Sequence, residues 1–491
     1  MARARAACGV ANCRAKRAPP PPPLLPPPPA PPRPHARLAR SQLTHQYRDA
    51  SVRWVVTVAP LLPVSRAAAA AAGGAVRDFF VLGEASGAFF STAGGGAAAP
   101  ARAAVVPSTQ LAVLPYSSGT TGLAKGVKLT HANLVANCAQ VTAHPDWNVG
   151  VAEGSVTLGL LPCFHIYGMQ MIMSVSMRLG CTAVMMPKFE PVAFLEALSK
   201  YRVTYASLVP PIIAFLARHP VVANYDLSAL KIVFSGAAPL DGATQAALEA
   251  RLPGVRVSQG YGMTESSPVT NFVDPRHRMT GSVGPLAPST SARIVDVDSG
   301  AVLPPGPANV GELWVRGPQV MAGYLNNAAA DAATLRDNWL MTGDIAWADA
   351  AGAFYIVDRR KELIKSKGFQ VAPAELEGLL INHPGVAAAA VIGAPDERAG
   401  ELPVAFVTRR APPPSAAAPG APPQPPPVDE HGLREYLRPH VADYKLPARI
   451  FFIDAIPTSA TGKILRRVLK GKLAELMAGG AEAPAAAGKA A

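Results

Sequence analysis

The first 48 residues contain no Asp or Glu, and the whole 491-residue chain has only five cysteines. Those five, Cys8, Cys13, Cys138, Cys163 and Cys181, are odd in number and form no CxxC pair. That argues against a disulfide framework or a zinc site and suits a reducing compartment. Long uncharged apolar runs are missing as well. The best membrane candidate, 168–186, is interrupted by Arg178, so no transmembrane segment is expected. No Gly-Lys-Ser/Thr triplet follows the glycines around position 120, which disfavours a P-loop kinase or ATPase. The last residues do not read Ser-Lys-Leu, so no peroxisomal address is expected.

What is present describes a globular chain of two or three domains: 49% of residues are hydrophobic and only 16% charged. The net charge of +13 is concentrated at one end, because eight Arg and one Lys lie within residues 1–48 and leave +4 for the remainder. The pI of about 9.7 therefore does not argue for nucleic-acid binding by the folded part, which has no zinc-finger, basic-zipper or recognition-sheet signature.

Composition also divides the chain. Residues 1–48, with the proline block Pro19–Pro34, are expected to be a disordered Pro/Arg-rich or transit-like extension; a misassigned start would look the same. A large domain is expected over 49–358 and a smaller one over 359–475, with a Pro/Ala insert at 411–428 forming an exposed loop and a disordered tail at 476–491. Strand patterns at 52–59 and 76–82 flank a low-complexity connection at 67–74. From 155 to 235 strand and helix patterns alternate, with strands at 155–161, 181–186, 205–209 and 231–235, and helices at 169–178 and 194–201. Residues 284–324 are richer in short strands, at 291–297 and 311–316, and fit a barrel-like subdomain; the last domain adds strands at 386–392 and 404–408.

The most informative stretch is Tyr116–Val127, Tyr-Ser-Ser-Gly-Thr-Thr-Gly-Leu-Ala-Lys-Gly-Val, between an apolar strand pattern at 111–114 and a helix start within 129–137. Gly119, Gly122 and Gly126 allow φ > 0 and close approach of a ligand; Ser117, Ser118, Thr120 and Thr121 add hydroxyls, and Lys125 a charge. A polyphosphate needs this set. Taken alone, a flexible turn is the rival reading.

The stretch resembles the phosphate loop of the adenylate-forming acyl-CoA synthetases, in their 4-coumarate:CoA ligase-like branch, and further family motifs follow in order as far as Lys463. The resemblance, over roughly residues 50–475, implies an α/β fold: a large N-terminal domain of layered αβα sheets with a small β-barrel-like subdomain, and a small mobile α+β C-terminal lid. The early part of the large domain is expected to be missing or replaced, since fewer residues precede the loop than the family carries.

The implied chemistry is activation of a carboxylic acid by ATP and Mg²⁺ to an acyl-AMP, then transfer to CoA. Such a site must neutralise the phosphates and two mutually repelling anions. By resemblance, ATP or AMP is held by Ser117, Ser118, Gly119, Thr120, Thr121 and Lys125, by Gln259, Gly260, Tyr261 and Thr264 of the Gln-Gly-Tyr-Gly-Met-Thr-Glu motif, and by Asp344, Arg359 and Lys361. Glu265 is the implied Mg²⁺ ligand; magnesium takes one or two carboxylates beside phosphates. His165 would orient the acid, although a histidine between aromatics is more often a core residue, and Cys163 is read as packing. Lys463 is the implied catalytic lysine; Lys365 and Gln370 would contact AMP or the reacting centre. Lys188, Lys367 and Gly368 would line the CoA path. Arg466, Arg467 and Lys470 are read as a solvated helix face.

The implied acid pocket comprises Tyr167, Met171, Phe234, Gly236, Ala237, Gly260, Pro268 and Val269. Bulk at Met171 and Phe234 would shorten an aromatic pocket or open an aliphatic one. Hydroxycinnamic acids are the expected substrates, with fatty or other aryl acids as the alternative. A catalytically incompetent ATP- or acid-binding relative, a luciferase-like oxygenase and, weakest, nucleic-acid binding through 1–48 are the rivals. A monomer or weak dimer in the cytoplasm is expected, with plastid or mitochondrial targeting if 1–48 act as a transit peptide.

Overall fold

The computed structural model describes residues 35–74, 76–82, 105–117, 124–144, 147–410, 428–459 and 463–479. Ser118, Gly119, Thr120 and Thr121, the insert at 411–427 and the tail from 480 lie outside the described residues. The chain divides into two compact units, 1–91 and 92–491.

In the first unit, helix α1 (His35–Asp49), strand β1 (Trp54–Val58), helix α2 (Leu62–Ala71) and strand β2 (Asp78–Leu82) form a βαβ unit preceded by a helix, with β1 and β2 parallel. Two expectations are corrected here. The extended segment to residue 48 gives way to α1 once the proline block ends at Pro34, and Leu43 and Tyr47, one helical turn apart, join the small core of Val55, Ala68 and Ala69. The connection at 67–74 is largely α2. Alanine is the strongest helix former, Pro63 lies in the first turn where its missing N–H costs nothing, and Gly73 (φ 94°) follows the end.

The second unit opens with strands β3 (Leu111–Val113), β4 (Tyr116–Ser117), β5 (Lys125–Gly126) and β6 (Leu129–Thr130), then helix α3 (His131–Thr142). β4 pairs antiparallel with β5, so the Gly/Ser/Thr stretch leaves and rejoins a hairpin, and β3 pairs with β6. α3 starts on a capping box: the Asn133 N–H donates to Thr130 Oγ1 at 3.2 Å and the Thr130 N–H to Asn133 Oδ1 at 2.9 Å.

Strands β7 (Val156–Gly159), β8 (Thr182–Met185), β9 (Tyr205–Leu208), β10 (Ile232–Ser235), β11 (Arg256–Gly262) and β12 (Val269–Phe272) build the first sheet in the order β12-β11-β10-β9-β7-β8. All neighbours are parallel except β12 against β11. The connections carry a π-helical turn (Gly168–Ser174) running into α4 (Val175–Leu179), then α5 (Pro191–Lys200), α6 (Pro210–Arg218) and α7 (Gly242–Arg251). Every residue of β9 is buried, as expected of a parallel strand covered on both faces. The apolar run 168–186 is thus a helix, a left-handed Gly180 cap (φ 65°) and a strand. Among the described residues no helix is long and apolar enough to cross a membrane.

The second sheet is antiparallel: β13 (Ser291–Val295), β14 (Val302–Leu303), β15 (Gly311–Arg316), β16 (Leu335–Arg336) after helix α8 (Ala328–Thr334), β17 (Trp339–Ala348) and β18 (Phe354–Arg359), in the order β14-β13-β15-β17-β16 with β18 beside β17. The third sheet joins β19 (Ile364–Ser366), β20 (Phe369–Val371), β21 (Val386–Asp396), β22 (Gly400–Arg409) and β23 (Arg449–Phe452), with α9 (Pro373–Asn382), α10 (Glu430–Leu437) and α11 (Arg466–Gly479). Over 389–392 and 404–407 its strands alternate. Ala389, Val391, Ala405 and Val407 face Leu376, Leu380, Leu433 and Leu437 of α9 and α10, whereas Ala390, Ile392, Val404 and Phe406 face Leu469 and Leu473 of α11. The fold is α/β, with a large sheet-bearing part followed by a smaller C-terminal one.

Asn137 of α3 fixes β12, which borders the site. Its fully buried amide donates to the Val269 carbonyl at 2.7 Å and accepts from the Val269 N–H at 3.2 Å. Replacing Asn137 by the similarly sized leucine strands both backbone groups, and a loss of about 3 kcal/mol is expected. Urea unfolding followed by circular dichroism checks this; an unchanged midpoint would mean that β12 is held by packing and its pairing with β11, without Asn137.

Candidate active site

Ser117 and Lys125 are cross-strand partners at the base of the β4–β5 hairpin, so the loop's two ends arrive together. Ser117 Oγ donates to Glu265 Oε1 at 2.9 Å, and the Tyr324 hydroxyl donates to the same oxygen at 2.9 Å. Lys125 Nζ sits 4.1 Å from the centre of the Tyr324 ring, a cation–π contact. Tyr324 is carried in by the backbone: residues 323–325 run antiparallel to 126–128, bridged at Val127–Tyr324 and by the Leu325 N–H to Gly126 O at 2.8 Å.

Glu265 lies in the short turn Thr264–Ser266 after β11 and is only 6% exposed. The chain can fold back there because residue 262 is glycine; a Cβ at that position would fall 1.8 Å from the Pro268 carbonyl oxygen. Both donors that reach Glu265 among the described residues use Oε1, leaving Oε2 as one oxygen donor for a cation. That suits magnesium, which binds through one or two carboxylates together with phosphates and water. No cluster of three or more His, Cys, Asp or Glu side chains able to hold a metal occurs among the described residues.

Asp344, in β17, faces Arg359 of β18 across the sheet, with Arg359 Nε 3.6 Å from its Oδ1. The Tyr261 hydroxyl donates to Oδ2 at 2.6 Å. Burial pushes the Asp344 carboxyl above its ordinary range, against Arg359 and the tyrosine hydroxyl, which pull it down. Burial also raises the Tyr261 phenol. Thr264 is half-buried in the same turn as Glu265.

Lys463 enters from the C-terminal part. It is held beside the Thr458–Ile464 bridge, its N–H donating to Ser459 Oγ at 3.2 Å and its carbonyl accepting from the Ser459 N–H at 2.8 Å. Burial, followed by the charge of Arg359, lowers its ammonium to about 8, although Glu362, Asp344 and Glu265 all favour the charged form. Burial first and the Lys463 charge second push His165 below the usual imidazole range, so it is neutral at pH 7. Its Nδ1 accepts from the Tyr167 N–H at 3.3 Å, which leaves the proton on Nε2. Burial alone raises the Cys163 thiol, as befits packing rather than nucleophilic work.

Of the expected acid-pocket residues, Tyr167, Met171, Phe234, Gly236, Pro268 and Val269 are buried, Gly260 is half-buried and Ala237 is exposed. The Tyr167 hydroxyl donates to Phe234 O at 2.9 Å; Met171 and Phe234 are 1% exposed and Val269 4%. A Cβ at Gly260 would lie 2.4 Å from the Phe234 ring, and one at Gly236 3.0 Å from Tyr167, so both glycines make room for aromatic rings. Ala237 (φ 71°) sits at the turn after β10, and Pro268 begins the return to β12. Gln259 braces that turn: its amide both accepts from the Leu240 N–H and donates to Leu240 O, each at 3.2 Å.

Other expected residues lie elsewhere in this conformation. Lys365, Lys367, Gly368 and Gln370 are on the exposed β19–β20 hairpin, Lys361 is exposed before it, and Lys188 is exposed in the loop after β8. A cavity of about 460 Å³ beside Arg316, Leu335 and Arg336 contains none of the expected residues. The site is therefore defined by its charges and donors rather than by an empty volume.

Three contributors escaped the sequence reading. Tyr324 carries no motif of its own and is recruited by the strand pairing above. Glu362, next to the expected Lys361, is an ion-pair partner of both Arg359 (3.4 Å) and Arg466 (2.8 Å); burial alone would raise it, but Arg466 and Arg359 hold it below the usual range. Arg466 corrects the solvated-face expectation. Its side chain is 15% exposed, paired with Glu362 and Glu377, and donates to Val391 O at 3.0 Å. Arg467 and Lys470 are exposed as expected.

The family description "AMP-binding enzyme" matches residues 34–325, and "AMP-binding enzyme C-terminal domain" matches 375–463. The chain belongs to the AMP-binding enzyme family. It is 45% identical over 377 residues to 4-coumarate--CoA ligase 2 of Oryza sativa subsp. japonica, covering 76% of this chain and 63% of that one. Identity to 4-coumarate--CoA ligase 2 of Nicotiana tabacum is 43% over 367 residues, covering 74% and 65%. The chain thus spans just under two thirds of the length of these curated relatives. Among solved structures, ATP-bound MatB from Rhodopseudomonas palustris superposes with a TM-score of 0.76 at 27% identity, covering 89% of this chain and 82% of that one. O-succinylbenzoate Coenzyme A Synthetase from Bacillus subtilis, in complex with ATP and magnesium ion, gives 0.70 at 28% identity, covering 88% and 82%.

Removing the Arg466 guanidinium leaves buried Glu377 without its cation and Glu362 with Arg359 alone. Arg466→Met is expected to cost about 3–5 kcal/mol, read as a fall in the urea midpoint. Arg466→Lys, with one ammonium for two carboxylates, is expected to recover only part of it. An unchanged midpoint in the methionine variant would show that the pair contributes nothing net.

Proposed function

We propose that this chain is an AMP-forming acid:CoA ligase that activates a hydroxycinnamic or related hydrophobic carboxylic acid with ATP and Mg²⁺ and passes the acyl group to CoA. The observation that carries the reading is the set of contacts joining Ser117 to Glu265, Tyr261 and Arg359 to Asp344, and Arg359 to Glu362, with half-buried Lys463 in the field of all three carboxylates. A cation withdrawn from water among carboxylates that other groups already occupy is suited to meeting further negative charge. In the proposed reaction that charge is the carboxylate and the α-phosphate, which must be brought together.

Ser117, Lys125 and the loop between them would bind the departing pyrophosphate, and Glu265 Oε2 would help hold Mg²⁺, which would supply positive charge against the phosphates. Asp344 would accept from ribose hydroxyls, Tyr261 would pack on the base and neutral His165 would orient the acid beside Tyr167. Lys365, Gln370, Lys367, Gly368 and Lys188 would serve the thioester step after the C-terminal part turns. The names of the curated relatives support the hydroxycinnamate class. Buried Met171 and Phe234 support a pocket shorter than an open aliphatic channel.

Purified protein should exchange pyrophosphate into ATP with 4-coumarate or caffeate more efficiently than with long-chain fatty acids, and should form the CoA thioester. Lys463→Ala should lower the exchange by about 100-fold or more. Absence of exchange and of AMP release across a broad acid panel would overturn the reading.

The lysine also sets a pH limb. Its charged form is lost as pH rises through about 8, so the adenylation rate of the wild type should decline above that value by about tenfold per pH unit. Lys463→Arg, charged throughout, should lack the limb whatever activity it retains. A flat wild-type profile to pH 10 would mean that the lysine charge is not needed in this step.

A further inference from the structure

We propose that Arg218 is a positioning residue for Lys463: a latch, reaching from α6 to the C-terminal end of α9, that holds the C-terminal part in the orientation in which Lys463 meets the carboxylates. The inference rests on the ligase reading for its consequence in catalysis, but its geometry stands independently. Arg218 is the last residue of α6. Its Nη1 donates to Ile381 O at 3.1 Å, and its Nη2 donates to Asn382 Oδ1 at 2.7 Å and Thr244 Oγ1 at 2.9 Å. One planar fork thus joins α6 and α7 of the large part to a helix more than 160 residues away in sequence.

The acceptor end is suited to a cation. The last carbonyls of a helix have no intrahelical partner and carry its partial negative charge. α9 has no basic residue in its own last turn, and its cap, His383, is pushed below the usual imidazole range by burial, so it supplies no charge at pH 7. The missing cation comes from the other part of the fold. The helix approaches closely alongside: a Cβ on Gly378 of α9 would lie 3.9 Å from Asp241 Cβ, the N-cap of α7.

The contact also carries an opposing element. Arg410, at the end of β22, is held below its ordinary range by burial and then by the charge of Arg218. Arg410 donates to Val386 O at 2.7 Å and does not contact the same acceptors. The latch therefore pairs a cation with neutral acceptors against a like charge, which suits a contact that opens once per turnover.

The two half reactions separate the roles. Arg218→Gln and Asn382→Ala should each lower ATP–pyrophosphate exchange by about tenfold, in kcat rather than in the KM for ATP. CoA-dependent consumption of presynthesised acyl-AMP should stay within about twofold. The double variant should be no worse than either single one, since both remove the same contact. Arg218→Lys should rescue in part, and Thr244→Val, which cuts only the bond within the large part, should keep exchange. A loss shared equally by both half reactions, or full exchange in Arg218→Gln, would overturn the latch.

A readout without turnover keeps the latch separable from the ligase reading. Spin labels at Lys200 and Glu435, with Cys8, Cys13, Cys163 and Cys181 replaced, should give one narrow distance distribution in the otherwise wild-type chain and a broadened or shifted one in Arg218→Gln and Asn382→Ala. Unchanged distributions would reject the latch even in an active ligase. Changed distributions in a protein that activates no acid would support the latch and reject the ligase.

Discussion

Keeping a lysine ammonium out of water is the constraint on which the rest of the site depends. Burial alone favours its neutral form, and Arg359 adds to that; Glu362, Asp344 and Glu265 oppose it, with the balance at about 8. Each of those carboxylates is itself committed. Glu265 accepts from Ser117 and Tyr324, Asp344 from Tyr261, and Glu362 is paired with Arg359 and Arg466. The network holds acids and bases in fixed alternation, so an incoming anion meets organised donors and cations rather than mobile surface charge. Preorganisation of this kind is carried by the fold, because the groups come from six separate stretches of chain, around residues 117, 261–265, 324, 344, 359–362 and 463–466.

The fold supplies those stretches by different physical means. The parallel first sheet delivers β11 and the turn bearing Glu265, and Gly262 gives the backbone room to return. The antiparallel second sheet sets Asp344 opposite Arg359 through register alone. The third sheet is covered on both faces, by α9 and α10 on one and α11 on the other, and so it carries the Lys463 turn as part of a stiff body. Arg466 ties α11 to α9 and to Glu362, so Arg466 and Lys463 both feel the charge of one carboxylate. Movement of this body would move Lys463 as a unit, and contacts at its border, such as that of Arg218, set how often the lysine is in place.

Much of this was legible in the sequence. The α/β class followed from the alternation after residue 155, and strands such as 205–208 and 311–316 fell within a residue of their patterns. The Gly/Ser/Thr-rich stretch reads as phosphate-binding from its residue types, and the Gln259–Glu265 motif and Asp344 only by resemblance; the structure brings Ser117 to Glu265 and Tyr261 to Asp344. The misreadings have physical causes. Alanine-rich 67–74 looked like filler, yet alanine is the best helix former. Residues 35–48 were grouped with the proline block, although the last proline there is Pro34. Arg466 was read as solvated because charge alone does not report burial.

By itself the sequence determined the elements and the chemical inventory: periodicity selects strand or helix, glycines mark the tight turns, and the motif residues bring hydroxyls, carboxylates and cations. Tertiary structure alone decided which of those charges meet. Tyr324 reaches Glu265, Glu362 lies between two arginines, and Arg218 finds the end of α9 across more than 160 residues. Side-chain encounters of this kind depend on register, helix packing and burial, which emerge only when distant segments pack together. Local sequence encodes propensity and spacing, whereas the energy of a buried charge depends on every neighbour that packing brings to it.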